Sequence, residues 1–218
     1  MGRQAVNNNL LLYFIADPSC CLRRPVQDVV ASAVRGGVTM VQLRNKSGDL
    51  AKIKEEALAI QSVLADSNVP FILNDYVELA AEINADGVHI GQEDMSAQQA
   101  REVIGPDKIL GLTAFTPKHF AALDPSIVDY VGTGPFFPTL TKPDKFVLGA
   151  ERFAQLAKDS PVPIVGIGGI APENADQVME AGADGVAMMR SISEAKDPEE
   201  GARQIFQKIG QFKESSVN

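Results

Sequence analysis

VTMVQLRNKSGD, residues 38–49, runs as an apolar strand to Gln42 and then delivers an amide, a guanidinium and an ammonium at every second position. Strand residues alternate faces, so Gln42, Arg44 and, if the extension persists, Lys46 point one way while Val41 and Leu43 point the other. A basic pair after a strand ordinarily begins a solvated loop. Gln42 argues against that here, because it stands inside the apolar stretch, where an unpaired buried amide costs about 1–3 kcal/mol. The strand therefore carries three donors toward one small volume at its exit.

The same unit recurs along the chain. Short β-branched runs are read as strands at LLLYFIA, TMVQLR, FILN, GVHI, ILGLT, DYVGTG, PIVGIG and GVAMM. Each is followed by a helical pattern bounded by Gly, Pro or Ser. VQDVVASAVRGG and DLAKIKEEALAIQSVLADSN show apolar residues at three- and four-residue intervals, and Pro172 and Pro198 stand where a first helical turn tolerates them. Eight strand–helix units in roughly 200 residues predict a single-domain (β/α)8 TIM barrel over residues 1–218, with a doubly wound open sheet as the pattern's alternative. No linker divides the chain, and flexible ends are expected at about 1–9 and 213–218.

Composition narrows the function. The chain has 218 residues, is 45% hydrophobic and carries a net charge of −8, which argues against a broad nucleic-acid surface and confines any anion site to a local basic pocket. The two cysteines, Cys20 and Cys21, are adjacent and lack metal-ligand spacing, so they read as reduced bystanders. LLLYFIA is too short to span a membrane and is followed by Asp17 rather than a cleavage site. A cytoplasmic protein without membrane or nucleic-acid partners is expected, and homo-oligomerisation stays open.

In a barrel, chemistry belongs at the C-terminal ends of the strands. Asn74-Asp75 follows the third strand and Asp94 lies just past the fourth. Either aspartate alone suits a helix N-cap; together they offer two hard carboxylates to Mg²⁺, which completes its shell with water and phosphate. His89, inside GVHI, reads as a hydrogen-bonded core residue and His119 as an ordinary helical one. GTGPFFPTLTKPDKFVLG, residues 132–149, is an irregular loop with Thr139, Thr141 and Lys142, either a Pro-stiffened surface loop or a lid. VGIGGIAPEN ends the seventh strand in glycines before a helix, a place where exposed amides favour phosphate.

Taken in order, VQLRNK, NDYVELA, ADGVHIGQEDM, GPFFPTLTKPD, VGIGGI and AGADGVAMM resemble the thiamine-phosphate synthase family over nearly the whole chain. That family is a (β/α)8 barrel that joins a hydroxymethylpyrimidine diphosphate to a thiazole phosphate and releases pyrophosphate. Carried over by motif, the resemblance implies that Gln42, Leu43, Arg44, Asn45 and Lys46, with Asn74, Thr113 and Lys142, hold the pyrimidine diphosphate. Arg44, Lys46 and Lys142 would assist departure of the diphosphate, and Asp75 and Asp94 would bind Mg²⁺. Thr139, Leu140, Thr141, Gly169, Met189 and Arg190 would hold the thiazole phosphate. The family's mechanism is dissociative: the aminopyrimidine leaves as a stabilised cation that the thiazole nitrogen captures, which accounts for the missing catalytic triad.

The sequence departs from the family pattern at Tyr76, where an arginine is usual, and at Thr113 and Arg190, where serines are usual. Two rivals remain. A thiazole tautomerase of the same fold needs a proton-moving histidine after the fifth strand, where this chain has Phe115. A non-catalytic phosphate-ligand sensor would keep the phosphate corner without needing two carboxylates.

Overall fold

The computed structural model describes residues 6, 9–139 and 146–215. Eight parallel strands close into a barrel in sequence order: β1 (Leu12–Ala16), β2 (Met40–Leu43), β3 (Phe71–Asn74), β4 (Gly87–Ile90), β5 (Ile109–Thr113), β6 (Tyr130–Thr133), β7 (Ile164–Ile167) and β8 (Gly185–Met188). Closure is made by β1 and β8, with Tyr13 opposite Ala187. The open-sheet alternative is thereby excluded, since no strand edge is left unpaired.

Alternation divides each strand between two cores. Tyr13, Ile15, Met40, Ile72, Ile109, Tyr130, Val165 and Ala187 fill the barrel interior. Leu12, Phe14, Val41, Leu43, Phe71, Leu73 and Val88 face outward against the helices. That helical layer comprises α1 (Val26–Arg35), α2 (Leu50–Leu64), α3 (Val77–Glu82), α4 (Ala97–Ile104), α5 (Pro117–Ala121), α6 (Gly149–Lys158), α7 (Ala175–Glu180), a single turn α8 (Arg190–Ser193) and α9 (Pro198–Ser215). Pro198 opens its helix as expected, whereas Pro172 precedes α7, which starts at Ala175 after Asn174.

At the described N-terminal end Val6 is buried within the interior cluster and its carbonyl accepts from Leu10 N at 3.1 Å. At the other end α9 continues to Ser215. Cys20 and Cys21 are free, buried thiols, and burial pushes Cys21 up to about 11, which keeps it protonated and unreactive.

The bottom of the barrel is tied by a repeated device. Asp86, Asp129 and Asp184 immediately precede β4, β6 and β8, and each carboxylate accepts a backbone N–H at the start of the preceding strand: Phe71, Leu110 and Ile164, the first, second and first residues of β3, β5 and β7, all at 2.8 Å. Asp129 is also paired with Arg101 at 2.6 Å, both largely buried. Asp129→Ala is expected to destabilise the fold by about 3 kcal/mol, because it leaves the Leu110 amide without its acceptor and the buried Arg101 charge without its carboxylate. Arg101 still donates to the Gly105, Lys108 and Ile127 carbonyls. Asp129→Asn, which keeps an acceptor, should lose less; chemical denaturation of the two variants measures the difference.

Candidate active site

The mouth of the barrel opens on a cavity of about 370 Å³. Its lining includes Gln42 and Arg44 from the exit of β2, Asn74 from β3, Thr113 from β5, and Gly169, Met189 and Arg190 from the exits of β7 and β8. Thr139 lies on the wall after β6. Residues of Leu140, Thr141 and Lys142 lie outside the described residues.

Gln42 lies on the inner face of β2 and is nearly fully buried, and its Nε2 donates to Tyr13 Oη at 2.6 Å. The amide is thus paired inside the barrel, as its position within an apolar strand requires. Arg44 follows on the same face and donates from Nη1 to Asp17 Oδ2 at 2.6 Å. Asp17, just past β1, is itself fixed by Ser19, whose N and Oγ donate to Oδ1 at 3.0 and 2.6 Å. A guanidinium held by one nitrogen keeps further N–H groups for an anion.

Two neighbours of Arg44 take different roles. Leu43 faces the outer, helix-side core, so only its backbone is available at the mouth. Asn45 is buried, donates from Nδ2 to Glu56 Oε2 at 2.7 Å and accepts from Ser47 N at 2.8 Å. Both side chains are therefore committed to building the β2–α2 loop rather than turned to the cavity.

Lys46 reaches across to Asp75, forming an ion pair with Oδ2. Asp75 has φ 69°, a left-handed conformation that Asp tolerates better than most residues. It does not cap α3, whose N-cap is Tyr76 without a side-chain bond. Asp94 caps no helix either: its Oδ2 accepts from Gly91 N at 2.7 Å, while Ser96 caps α4. Burial raises the proton affinity of Asp75, Lys46 opposes the rise, and the neighbouring Asp94 carboxylate adds to it. Two carboxylates thus face one another beside an ammonium at adjacent strand exits.

The opposite wall is made of glycines. Gly168 and Gly169 have φ of 98° and 66°. A Cβ on Gly169 would stand 2.4 Å from Pro138 O, and one on Gly168 would stand 2.7 Å from Pro135 Cα. Their first structural reason is therefore the loop after β6, which pairs with them through Phe136 N to Ile167 O at 2.8 Å and Phe137 N to Gly168 O at 3.0 Å. Access for a ligand to the backbone here is a consequence of that packing. Ser191 Oγ donates to Ile170 O at 2.6 Å and locks the β8 exit onto the same wall. Arg190 is half exposed and paired with Glu194 at 2.6 Å.

Several site residues carry no local sequence signal. Tyr13 and Tyr130 read as apolar strand residues, yet their hydroxyls lie 2.7 Å apart beneath the cavity. His89 is hydrogen-bonded as expected, to Tyr130 and Thr113, and it also lines the cavity. Asp17, which follows the first strand in the sequence, supplies the partner that orients Arg44. His119 packs edge-on against Phe115, with ring centroids 4.7 Å apart, and is not part of the lining.

A closed (β/α)8 barrel with a guanidinium on one wall of its mouth, a carboxylate couple at adjacent strand exits and exposed glycine backbone opposite has the donors of a small-molecule site suited to an anion. The family model described as thiamine monophosphate synthase matches residues 12–192. A thiamine-phosphate synthase of Xanthobacter autotrophicus is 43% identical over 198 residues, covering 90% of this chain and 94% of that protein. One from Bacillus velezensis is 41% identical over 218 residues, covering 98% and 96%. The solved thiamine phosphate pyrophosphorylase from Pyrococcus furiosus superposes with a TM-score of 0.85 at 28% identity, covering 94% of this chain and 98% of that one. The chain belongs to the thiamine monophosphate synthase family.

Among the described residues no helix is long and apolar enough to cross a membrane.

Proposed function

We propose that the chain is a thiamine-phosphate synthase acting on 4-amino-2-methyl-5-(diphosphooxymethyl)pyrimidine and a thiazole phosphate. The observation that supports this reading best is a single cavity lined by both Arg44 and the Gly168–Gly169 backbone. It gives two anionic substrates separate anchors with their reactive ends between them.

In the reaction the bond between the pyrimidine methylene carbon and the diphosphate oxygen breaks, its electron pair leaving with pyrophosphate. The thiazole nitrogen lone pair then forms the new C–N bond. No protein nucleophile is needed. The protein must stabilise the growing charge on the departing oxygen, exclude water and hold the thiazole in line. Arg44 is fit for the first task because Asp17 fixes its orientation, so little reorganisation accompanies charge development. Lys46 adds a mobile point charge from an exposed position. Lys142 and the lid assigned to its loop belong to the same proposal on sequence grounds alone.

Asp75 and Asp94 fit Mg²⁺ by the chemistry of the pair: two hard carboxylates, close enough that Asp94 adds to the proton affinity of Asp75, of the kind that binds an ion whose shell water and phosphate complete. When bound there the ion would neutralise diphosphate charge. Among the described residues no group of three or more His, Cys, Asp or Glu side chains is placed to hold a metal ion.

The decisive assay supplies both substrates with and without Mg²⁺ and measures pyrophosphate release. Release that requires both organic substrates supports the synthase; binding without release would leave a sensor. For the thiazole end, Arg190→Ala is expected to raise the KM for thiazole phosphate about tenfold with kcat unchanged, since its exposed pair with Glu194 is weak enough to yield to a phosphate. An unchanged KM removes Arg190 from the site.

A further inference from the structure

Beneath the cavity a chain of hydrogen bonds links Gln42 to Thr113 through three residues with no assigned role. Gln42 Nε2 donates to Tyr13 Oη at 2.6 Å, Tyr13 Oη is 2.7 Å from Tyr130 Oη, Tyr130 Oη is 3.0 Å from His89 Nδ1, and His89 Nε2 is 3.0 Å from Thr113 Oγ1. Each link restricts the next. An amide nitrogen only donates, so Tyr13 accepts from Gln42, which leaves its own proton able to go to Tyr130. In that order Tyr130 gives its proton to His89 Nδ1, which is then the bare ring nitrogen. The imidazole proton then resides on Nε2 and goes to Thr113. Burial holds both phenols above their usual range of ionisation, so each keeps the one proton this order requires.

The two ends of the chain consequently present opposite polarity. Gln42 has Oε1 left as an acceptor beside its second Nε2–H, and Thr113, having accepted from His89, has its hydroxyl proton left to donate. Both residues line the cavity. Room for the central link is built into the sheet: a Cβ on Gly111 would stand 2.3 Å from Tyr130 Oη and 2.5 Å from His89 Nδ1.

We propose that Tyr13, Tyr130 and His89 are positioning residues forming a directional relay that fixes Gln42 as acceptor and Thr113 as donor, and so selects a ring bearing an amine beside an unprotonated nitrogen. The selection rests on the synthase reading, whose 4-aminopyrimidine has a donor amine next to the acceptor N3. The 4-oxo analogue, with a carbonyl beside N3–H, presents the reverse pair to Gln42 Oε1 and the Thr113 hydroxyl proton.

Two measurements test the relay. The chain has two histidines, so ¹⁵N NMR of histidine-labelled protein, assigned with His119→Gln, reads the His89 tautomer directly. The Nε2–H form is expected, and the Nδ1–H form would overturn the proposal. Calorimetry with the 4-amino and 4-oxo pyrimidinylmethyl monophosphates then reads recognition without turnover, which the amine also influences electronically. The wild type is expected to prefer the amino compound by about 100-fold. Tyr130→Phe, checked for an unchanged circular dichroism spectrum, is expected to bring that preference below about tenfold by releasing the His89 tautomer. A preference retained in full by folded Tyr130→Phe overturns the relay. If that variant does not fold, the wild-type tautomer decides. Binding of neither compound would sink the substrate assignment, while the tautomer still decides the relay.

Discussion

Arg44→Ala is expected to lower kcat/KM for the pyrimidine diphosphate by about 1000-fold, or about 4 kcal/mol of transition-state stabilisation. The size follows from the geometry. Arg44 lines the cavity and is held by Asp17 at 2.6 Å, so its charge is already oriented before diphosphate departs. Arg44→Lys keeps the charge but loses the planar fork, and should recover only part of the loss. Stability changes separately: truncation strands the buried Asp17 carboxylate, at a cost of about 2 kcal/mol softened by the bonds from Ser19. Arg44→Ala combined with Asp17→Asn should regain stability without regaining activity. Steady-state kinetics with thermal melts of the single and double variants check both halves.

Asp75→Asn is expected to reduce turnover by about 100-fold or more and to abolish the thermal stabilisation of the protein by Mg²⁺. Its effect on the metal-free fold should run the other way. The folded-state pKa of Asp75 is raised, chiefly by burial and further by Asp94, against the pull of Lys46. A carboxyl with a raised folded pKa contributes stability below its unfolded pKa, and that contribution is lost as pH rises through the folded value. At neutral pH the charged form is therefore a burden that asparagine removes. Asparagine tolerates the φ of 69° as well, and the lost partner, Lys46, is half exposed and bears that loss cheaply. Melts in chelator should show the variant at least as stable as the wild type at pH 7, and the gap should close toward pH 4. A variant less stable in chelator and still stabilised by Mg²⁺ would place the cation elsewhere.

These two variants separate the kinds of residue at the mouth. Arg44 is bound into a buried network, so its removal damages fold and function together. Asp75 is held beside a like charge, and its replacement should relieve the fold while disabling the chemistry, the usual mark of strain kept for function.

Much of the site was legible from position within the repeated unit. Gln42, Arg44 and Asn74 could be placed at the mouth because a parallel strand in a barrel delivers its last inward residues there. The pairing of Asp75 with Asp94 could be anticipated because they leave adjacent strands. Asn45 and Leu43 were less readable: both belong to the same motif, yet one turns to Glu56 and the other to the helices. The glycines at 168 and 169 were legible as special but not as to cause, because Pro135 and Pro138 approach them from a loop some thirty positions earlier.

What the sequence alone determined was a parallel sheet of eight strand–helix units, since strands separated by amphipathic helices bury both of their faces; that the sheet closes was decided by the pairing of β1 with β8. The sequence also determined which residue types reach the barrel mouth, because that follows from alternation within each strand. Only the tertiary structure decided which of them meet. Asp17 and Arg44 are separated by 27 positions and Tyr13 and Tyr130 by 117, and closing the barrel brings them within hydrogen-bond distance. In the proposed relay, polarity beneath the cavity belongs to the hydrogen-bonded chain rather than to any residue in it, because its links join residues of different strands.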